Sequence, residues 1–86
     1  MHSPYQPINC DLHDYLEIAC MHHYRLNIEL NDGQHFVATA ITTRTASSKE
    51  EFLLLQNENQ QFEIRLDKLR VITPLNKNAS FGCITF

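Results

Sequence analysis

YQPINCDLHDYLEIACMHHYRLNIELND, residues 5–32, is the stretch whose reading decides the fold. Pro4 and Pro7 stiffen the chain around its start and disfavour helix in the residue preceding each, so residues 1–8 are expected to form an extended arm. Asn9 or Asp11 can then cap a helix. Asp11 with Asp14 three residues on resembles a capping box, and both acids suit the positive end of a helix dipole. The spacing predicts a helical segment over 9–21, regular from about Asp11 to Met21. At about 100° per residue, Leu12, Tyr15, Leu16 and Ala19 share one face, while His13, Asp14 and Glu17 share the other. The apolar side should pack on the body of the domain and the carboxylates should point outward. From Tyr24 to Leu30 the period changes to two: Leu26, Ile28 and Leu30 alternate with Arg25, Asn27 and Glu29, the pattern of a half-buried strand. Asp32-Gly33 closes it with a tight-turn signal.

Working outward, Gln34–Thr43 reads as a second strand, β-rich but only partly alternating, which suits a long and bent element. RTASSKEE (44–51) is a polar loop. Phe52–Gln56 reads as a third strand, Asn57-Glu58-Asn59 as a turn, and Gln61–Leu66 as a fourth strand with Phe62, Ile64 and Leu66 on one face. Asp67-Lys68-Leu69 is expected as a short helical turn or corner. Arg70–Thr73 makes a fifth strand ended by Pro74, and Phe81–Phe86 is placed as a sixth. One helix followed by five or six short strands predicts a mainly β chain, a small β-barrel over 23–86, whose closure would remove exposed strand edges. The whole chain, 1–86, is expected to be one domain, since 86 residues leave room for no more.

Composition narrows the function. The net charge of −3 conceals an asymmetry. Up to Asp32 the acids Asp11, Asp14, Glu17, Glu29 and Asp32 face Arg25 alone. Beyond it, Glu50, Glu51, Glu58, Glu63 and Asp67 nearly balance Arg44, Lys49, Arg65, Lys68, Arg70 and Lys77. A local acidic surface of this kind repels phosphate and attracts basic protein. The longest apolar run, Phe52–Leu55, is too short to span a membrane. The polar N-terminus carries no apolar signal core, so a cytoplasmic location is expected. Three cysteines, an odd count, argue against a disulfide framework. On one helix, Cys10 and Cys20 would stand ~15 Å apart, far beyond disulfide reach.

Catalytic and metal readings weaken under the same scrutiny. Cys20-x-His22 is a tight pairing without a second one to complete a zinc site, and the histidines fit a helix C-terminus instead. Cys10 would sit near a helix N-terminus, but Asp11 and Asp14 beside it oppose thiolate formation. Asp14 and Glu17 on an exposed face remain ionised rather than share a proton. No phosphate-binding loop, nucleophile elbow, metalloprotease or dinucleotide motif is present. Neither an enzyme nor a metal or cofactor is expected. Arg65, Lys68 and Arg70 with nearby Phe62 could line a nucleic-acid groove. The plainer reading makes Phe62 core and the cations a solvated rim paired to Glu63 and Asp67. What remains is a protein-interaction module built on the arm and the acidic helix face.

YQPINCD at Tyr5–Asp11, DYLEIAC at Asp14–Cys20, the paired His22–His23 and RLDK at Arg65–Lys68 resemble the Rho-binding antiterminator family (Rof, also called YaeO). The resemblance runs from about Tyr5 to Ile72 and is densest in the first thirty residues. It implies an Sm-like β-barrel preceded by a helix. It also implies a non-enzymatic inhibitor that binds transcription termination factor Rho, a ring-shaped RNA-dependent ATPase, at the primary RNA site of its N-terminal OB-fold domain. On that reading Asp14 and Glu17 pair with Rho cations, Asp11 supports the helix start and adds a contact, and Asn9, Tyr5 and Gln6 contribute from the arm. The protein itself would bind no nucleic acid or membrane, and would be a monomer when free. An Sm-like RNA-binding module is the alternative. The family pattern places a further acid after the position of Asp11, where this chain has Leu12.

Overall fold

The computed structural model describes residues 7–86, so Tyr5, Gln6 and most of the expected arm lie outside the described residues. Helix α1 spans Cys10–Met21. Its cap is Asn9, extended at φ −61° and ψ 144°, whose side chain accepts from the Asp11 backbone N–H at 3.0 Å. Of the two capping residues the pattern allows, Asn9 therefore takes the role, and Asp11 sits in the first turn where its charge opposes the positive end of the dipole. The helix closes on His22 and His23. The His23 N–H reaches the Cys20 carbonyl at 3.2 Å and the Tyr24 N–H reaches that of Ala19 at 2.9 Å, the two bonds of a Schellman ending. His23 takes the left-handed conformation usually left to glycine, φ +49°, and its ring Nδ1 lies 3.1 Å from the Ala40 carbonyl, a contact that holds it there.

Six strands follow: β1 Arg25–Leu30, β2 His35–Thr45, β3 Glu51–Asn57, β4 Gln60–Arg65, β5 Leu69–Pro74 and β6 Ile84–Thr85. A single 3₁₀ turn, Leu66–Lys68, joins β4 to β5, at the expected corner. All pairings are antiparallel, in the order β4-β3-β2-β1-β5-β6. In β1 the alternation holds: Leu26, Ile28 and Leu30 are buried, and Arg25 and Asn27 are exposed. Gly33, at φ +91°, makes the turn into β2, where Asp32 Oδ1 accepts from the Gln34 N–H. β2 is long and irregular, as its sequence suggests, with a shift in register between Ala40 and Thr42. Its first half pairs with β1 and its second with β3.

The core gathers Leu16 and Ala19 of α1 with Leu26, Ile28, Ala38, Ala40, Leu53, Leu55, Leu66, Leu69 and Ile72. The helix lies against β2, where small Ala38 and Ala40 let it approach closely. Phe62 packs at the margin of this core, edge-on to Phe36 at 5.4 Å, so it is a packing residue.

The expectation of a closed, Sm-like barrel is corrected: the sheet is open, with β4 and β6 as its two edges. Closure requires first and last strands long enough to pair along a sheared register. β6 has two residues and bonds only to Val71 and Ile72 of β5. Its partner segment is instead spent over the helix. Tyr24 and Ser80 exchange bonds, Ser80 N–H to the tyrosine oxygen at 2.9 Å and the tyrosine hydroxyl to Ser80 Oγ at 3.3 Å. Phe81 stands between the rings of Tyr15 and Tyr24.

Candidate partner-binding surface

Helix α1 presents Asp11, Asp14 and Glu17 to solvent. Among the described residues none of the three carboxylates forms an ion pair, whereas Arg44 and Arg65 are both paired with carboxylates. Asp14 and Glu17 are one turn apart and Asp11 one turn earlier, so the charges form a stripe along the outer side of the helix. No basic residue occupies the last turn to offset them. Asn9 is exposed beside them, but its amide oxygen already serves as the cap.

His13 departs from the expected outward face. It is half-buried, and its Nε2 meets Glu51 Oε2 at 2.6 Å, which ties the helix to the start of β3. Helical spacing gives no hint of this pair, since its members are far apart in sequence and meet only through the fold. Glu51 is thus a residue that sequence reasoning assigned to a loop and the structure assigns to holding the acidic helix.

The cations that a nucleic-acid groove would require are largely committed. Arg65, only 11% exposed in its side chain, donates to Asp67 at 2.7 Å and to Glu50 at 3.0 Å. Hydrogen bonds to Asp67 first, and then to Glu50, raise its pKa. Arg44 grips Glu63 in a two-bond fork at 2.6 and 3.0 Å and lies over the Phe52 ring at 4.8 Å. The fork holds the Glu63 carboxyl below its ordinary pKa. Arg70 approaches Glu29 at 3.5 Å. The expected partners are therefore reassigned in part: Glu63 belongs to Arg44, and Asp67 shares Arg65 with Glu50.

The cysteines and histidines do not converge. Cys10 and Cys83 are exposed and Cys20 is half-buried. Burial, with the Glu17 charge second, pushes the Cys20 thiol up to about 11, which keeps it protonated and unreactive. His22 stacks on Tyr24 at 5.3 Å, and His23 serves the helix ending. Among the described residues no three potential ligands gather to hold a metal. Nor is any helix there long and apolar enough to cross a membrane.

The chain is similar in sequence and in fold to known proteins. The family model described as modulator of Rho-dependent transcription termination (ROF) matches residues 7–86. The chain belongs to the ROF family. It is 42% identical over 69 residues to Protein rof of Escherichia coli (strain K12), an alignment covering 80% of this chain and 81% of the relative. Protein rof of Shigella flexneri matches with the same figures. The solved structure of YaeO bound to magnesium from Vibrio cholerae O395 superposes with a TM-score of 0.77 at 27% identity, covering 85% of this chain and 95% of that one. ROF proteins are modulators of transcription termination and not enzymes. The magnesium belongs to the Vibrio structure.

Proposed function

We propose that this ROF protein binds Rho and covers the primary RNA site of its N-terminal OB-fold domain, with the acidic face of α1 taking the place of RNA phosphates. The observation that carries the reading is the exposure of Asp11, Asp14 and Glu17, none of which forms an ion pair among the described residues. A groove that tracks a polyanion is lined with cations, and a stripe of carboxylates is attracted to it by the same field. Asp14 and Glu17 are the central contacts, Asp11 supports them, and Tyr5, Gln6 and the amide of Asn9 contribute at the edge. Action on Rho implies a cytoplasmic location, and on this reading the free protein is a monomer. The ion pairs of Arg65 and Arg44 support competition with RNA over binding of RNA, because both guanidiniums are already spent on carboxylates.

Exposed ion pairs contribute only roughly 0.2–1 kcal/mol each. Useful affinity needs several together with apolar burial. Binding should weaken steeply with salt, mainly through the association rate. The test is a Rho-dependent termination assay with and without the purified protein, beside displacement of labelled C-rich RNA from Rho. Read-through and displacement are expected from the parent. The double variant Asp14→Lys, Glu17→Lys should remain folded and lose both. Full inhibition by that folded variant would defeat the site assignment, and direct capture of the RNA by the protein alone would favour the RNA-binding alternative.

A further inference from the structure

The turn between β1 and β2 brings together two groups that can react with each other. Asp32 is followed by Gly33, and it is the only aspartate or asparagine of the chain that precedes a glycine. At such a bond the side-chain carboxyl meets a backbone nitrogen that no neighbouring side chain shields. Gly33 has φ +91°, which glycine adopts without penalty, and nothing lies within 4 Å of where a Cβ would stand. Both residues are exposed, so water reaches them.

The same turn keeps the two reacting groups apart. Asp32 Oδ1 accepts from the Gln34 backbone N–H at 3.0 Å, and Oδ2 accepts from the Gln34 side-chain amide at 3.1 Å. The Gly33 N–H donates to the Leu30 carbonyl at 3.0 Å. The carboxyl is thus held to residue 34 and the nitrogen to residue 30. Contact between them requires these bonds to break. The flanks of the turn are also fixed. The Leu30 N–H donates to the Gln34 carbonyl at 2.8 Å, the Asn31 N–H to the Lys68 carbonyl at 3.0 Å, and the Asn31 side-chain amide to the Asp67 carbonyl at 2.9 Å. Reaction must wait for a local opening of the turn, whose population these bonds set.

We propose that Asp32–Gly33 is a site of spontaneous, enzyme-free conversion to isoaspartate, and that Gln34 is the residue that retards it in the folded protein. The Gly33 nitrogen attacks Asp32 Cγ. A C–N bond forms, the Cγ–OH bond breaks, and the amide proton leaves with that hydroxyl as water, closing a five-membered succinimide. Water then adds to one of the two ring carbonyls. Opening at Cγ restores aspartate. Opening at the former backbone carbonyl leaves the chain running through Cβ and Cγ, with the carboxylate on Cα. No oxidant or cofactor takes part, and mass is unchanged at the end. The product has one extra carbon in the backbone of a tight turn, next to the paired Glu29 and His35. The Leu30–Gln34 closure and the tie of Asn31 to the 3₁₀ turn are the contacts it disturbs first. None of this depends on Rho binding.

The experiment incubates the parent, Gln34→Ala and Asp32→Glu at neutral pH and physiological temperature, each confirmed folded by circular dichroism. The parent and Gln34→Ala are also incubated unfolded in guanidinium. Isoaspartate is quantified by labelling with an isoaspartyl-specific methyltransferase and located by peptide mapping. The folded parent should accumulate it slowly at residue 32, and the unfolded parent about tenfold faster or more, since several hydrogen bonds are lost. Folded Gln34→Ala should react roughly fivefold faster than the folded parent, the factor of a single hydrogen bond. Unfolded, the two should react at the same rate. Asp32→Glu should show no signal there, because closure would need a larger ring. Equal rates in the folded and unfolded parent would overturn the protection. A folded Gln34→Ala that matches the folded parent would remove Gln34 from it. An equal acceleration of Gln34→Ala in the unfolded chain would make the effect one of sequence and not of structure. Isoaspartate arising mainly elsewhere in the chain would defeat the site.

Discussion

Phe81 is the point where the C-terminal segment grips the helix, and removing its ring should loosen α1 before it loosens the sheet. Its centroid lies 5.1 Å from that of Tyr15 on α1 and 5.8 Å from that of Tyr24, tilted 59° to each. Complete burial of a phenylalanine makes its truncation to alanine cost about 3–5 kcal/mol. Phe81 is half-buried, so the packing loss is roughly half that, ~2 kcal/mol. Each ring pair adds about 0.5–1.5 kcal/mol beyond area, part of it already counted, for a total of roughly 2–3 kcal/mol. In a chain of this size 1 kcal/mol moves Tm by about 4–8 °C. Phe81→Ala should therefore melt about 10–20 °C lower by far-UV circular dichroism. Phe81→Leu, which keeps apolar volume without ring edges, should recover about half of the loss. Amide exchange should show the larger loss of protection at Leu16 and Ala19 in α1, and the smaller loss at Leu26 and Ile28 in β1. A melting point within about 3 °C of the parent would refute the energetic argument. Equal loss of protection in helix and sheet would refute the claim that the segment acts as a strap on α1.

Three further outcomes follow from the geometry. Asn9→Ala removes the cap and should cost about 1 kcal/mol, measured by urea denaturation; an unchanged midpoint would show that the Asn9–Asp11 bond is not needed. The Glu63 carboxyl is held below its ordinary value of 4.5 by Arg44. Its stabilisation is thus fully present above that pH and is lost as the pH falls through the depressed folded-state value. Stability should then decline less steeply with acid in Glu63→Gln than in the parent, and identical slopes would contradict the assignment. In the native protein a thiolate-selective reagent at mild alkaline pH should titrate exposed Cys10 and Cys83 quickly, and Cys20, at about 11, only after unfolding; rapid reaction of all three thiols would exclude the protected state of Cys20.

Much of this protein is legible residue by residue. Period-two alternation in Arg25–Leu30 reflects one buried face, and the helix spacing of Leu12, Tyr15, Leu16 and Ala19 reflects another. Both patterns arise within a few residues and survive whatever packs on them. The same holds for the exposure of Asp11, Asp14 and Glu17: a carboxylate opposite an apolar stripe has nowhere to go but water. The helix start is legible too, although two residues could have capped it and only the backbone shows that Asn9 does.

The sequence by itself determined the elements, their order and the acidic stripe. Tertiary structure alone decided how the elements end and what they enclose. His13 was grouped with the exposed acids because helical angle is all that spacing reports, and its partner Glu51 arrives from a distant strand. The commitment of Arg65 to Glu50 and Asp67, and of Arg44 to Glu63, likewise depends on which strands lie side by side. Barrel closure failed as an expectation for the same reason. Alternation records that a strand has a wet and a dry side, but closure depends on the length and stagger of strands that meet last, and here the final segment packs across α1 and leaves only Ile84–Thr85 for the sheet. A groove beside Leu12 is likewise a product of distant segments, since Ile8, Leu66 and Phe86 become neighbours only through the path of the folded chain. Local pattern is set by bonded geometry and solvent, whereas contacts between remote residues are set by the shape into which all the elements must pack together.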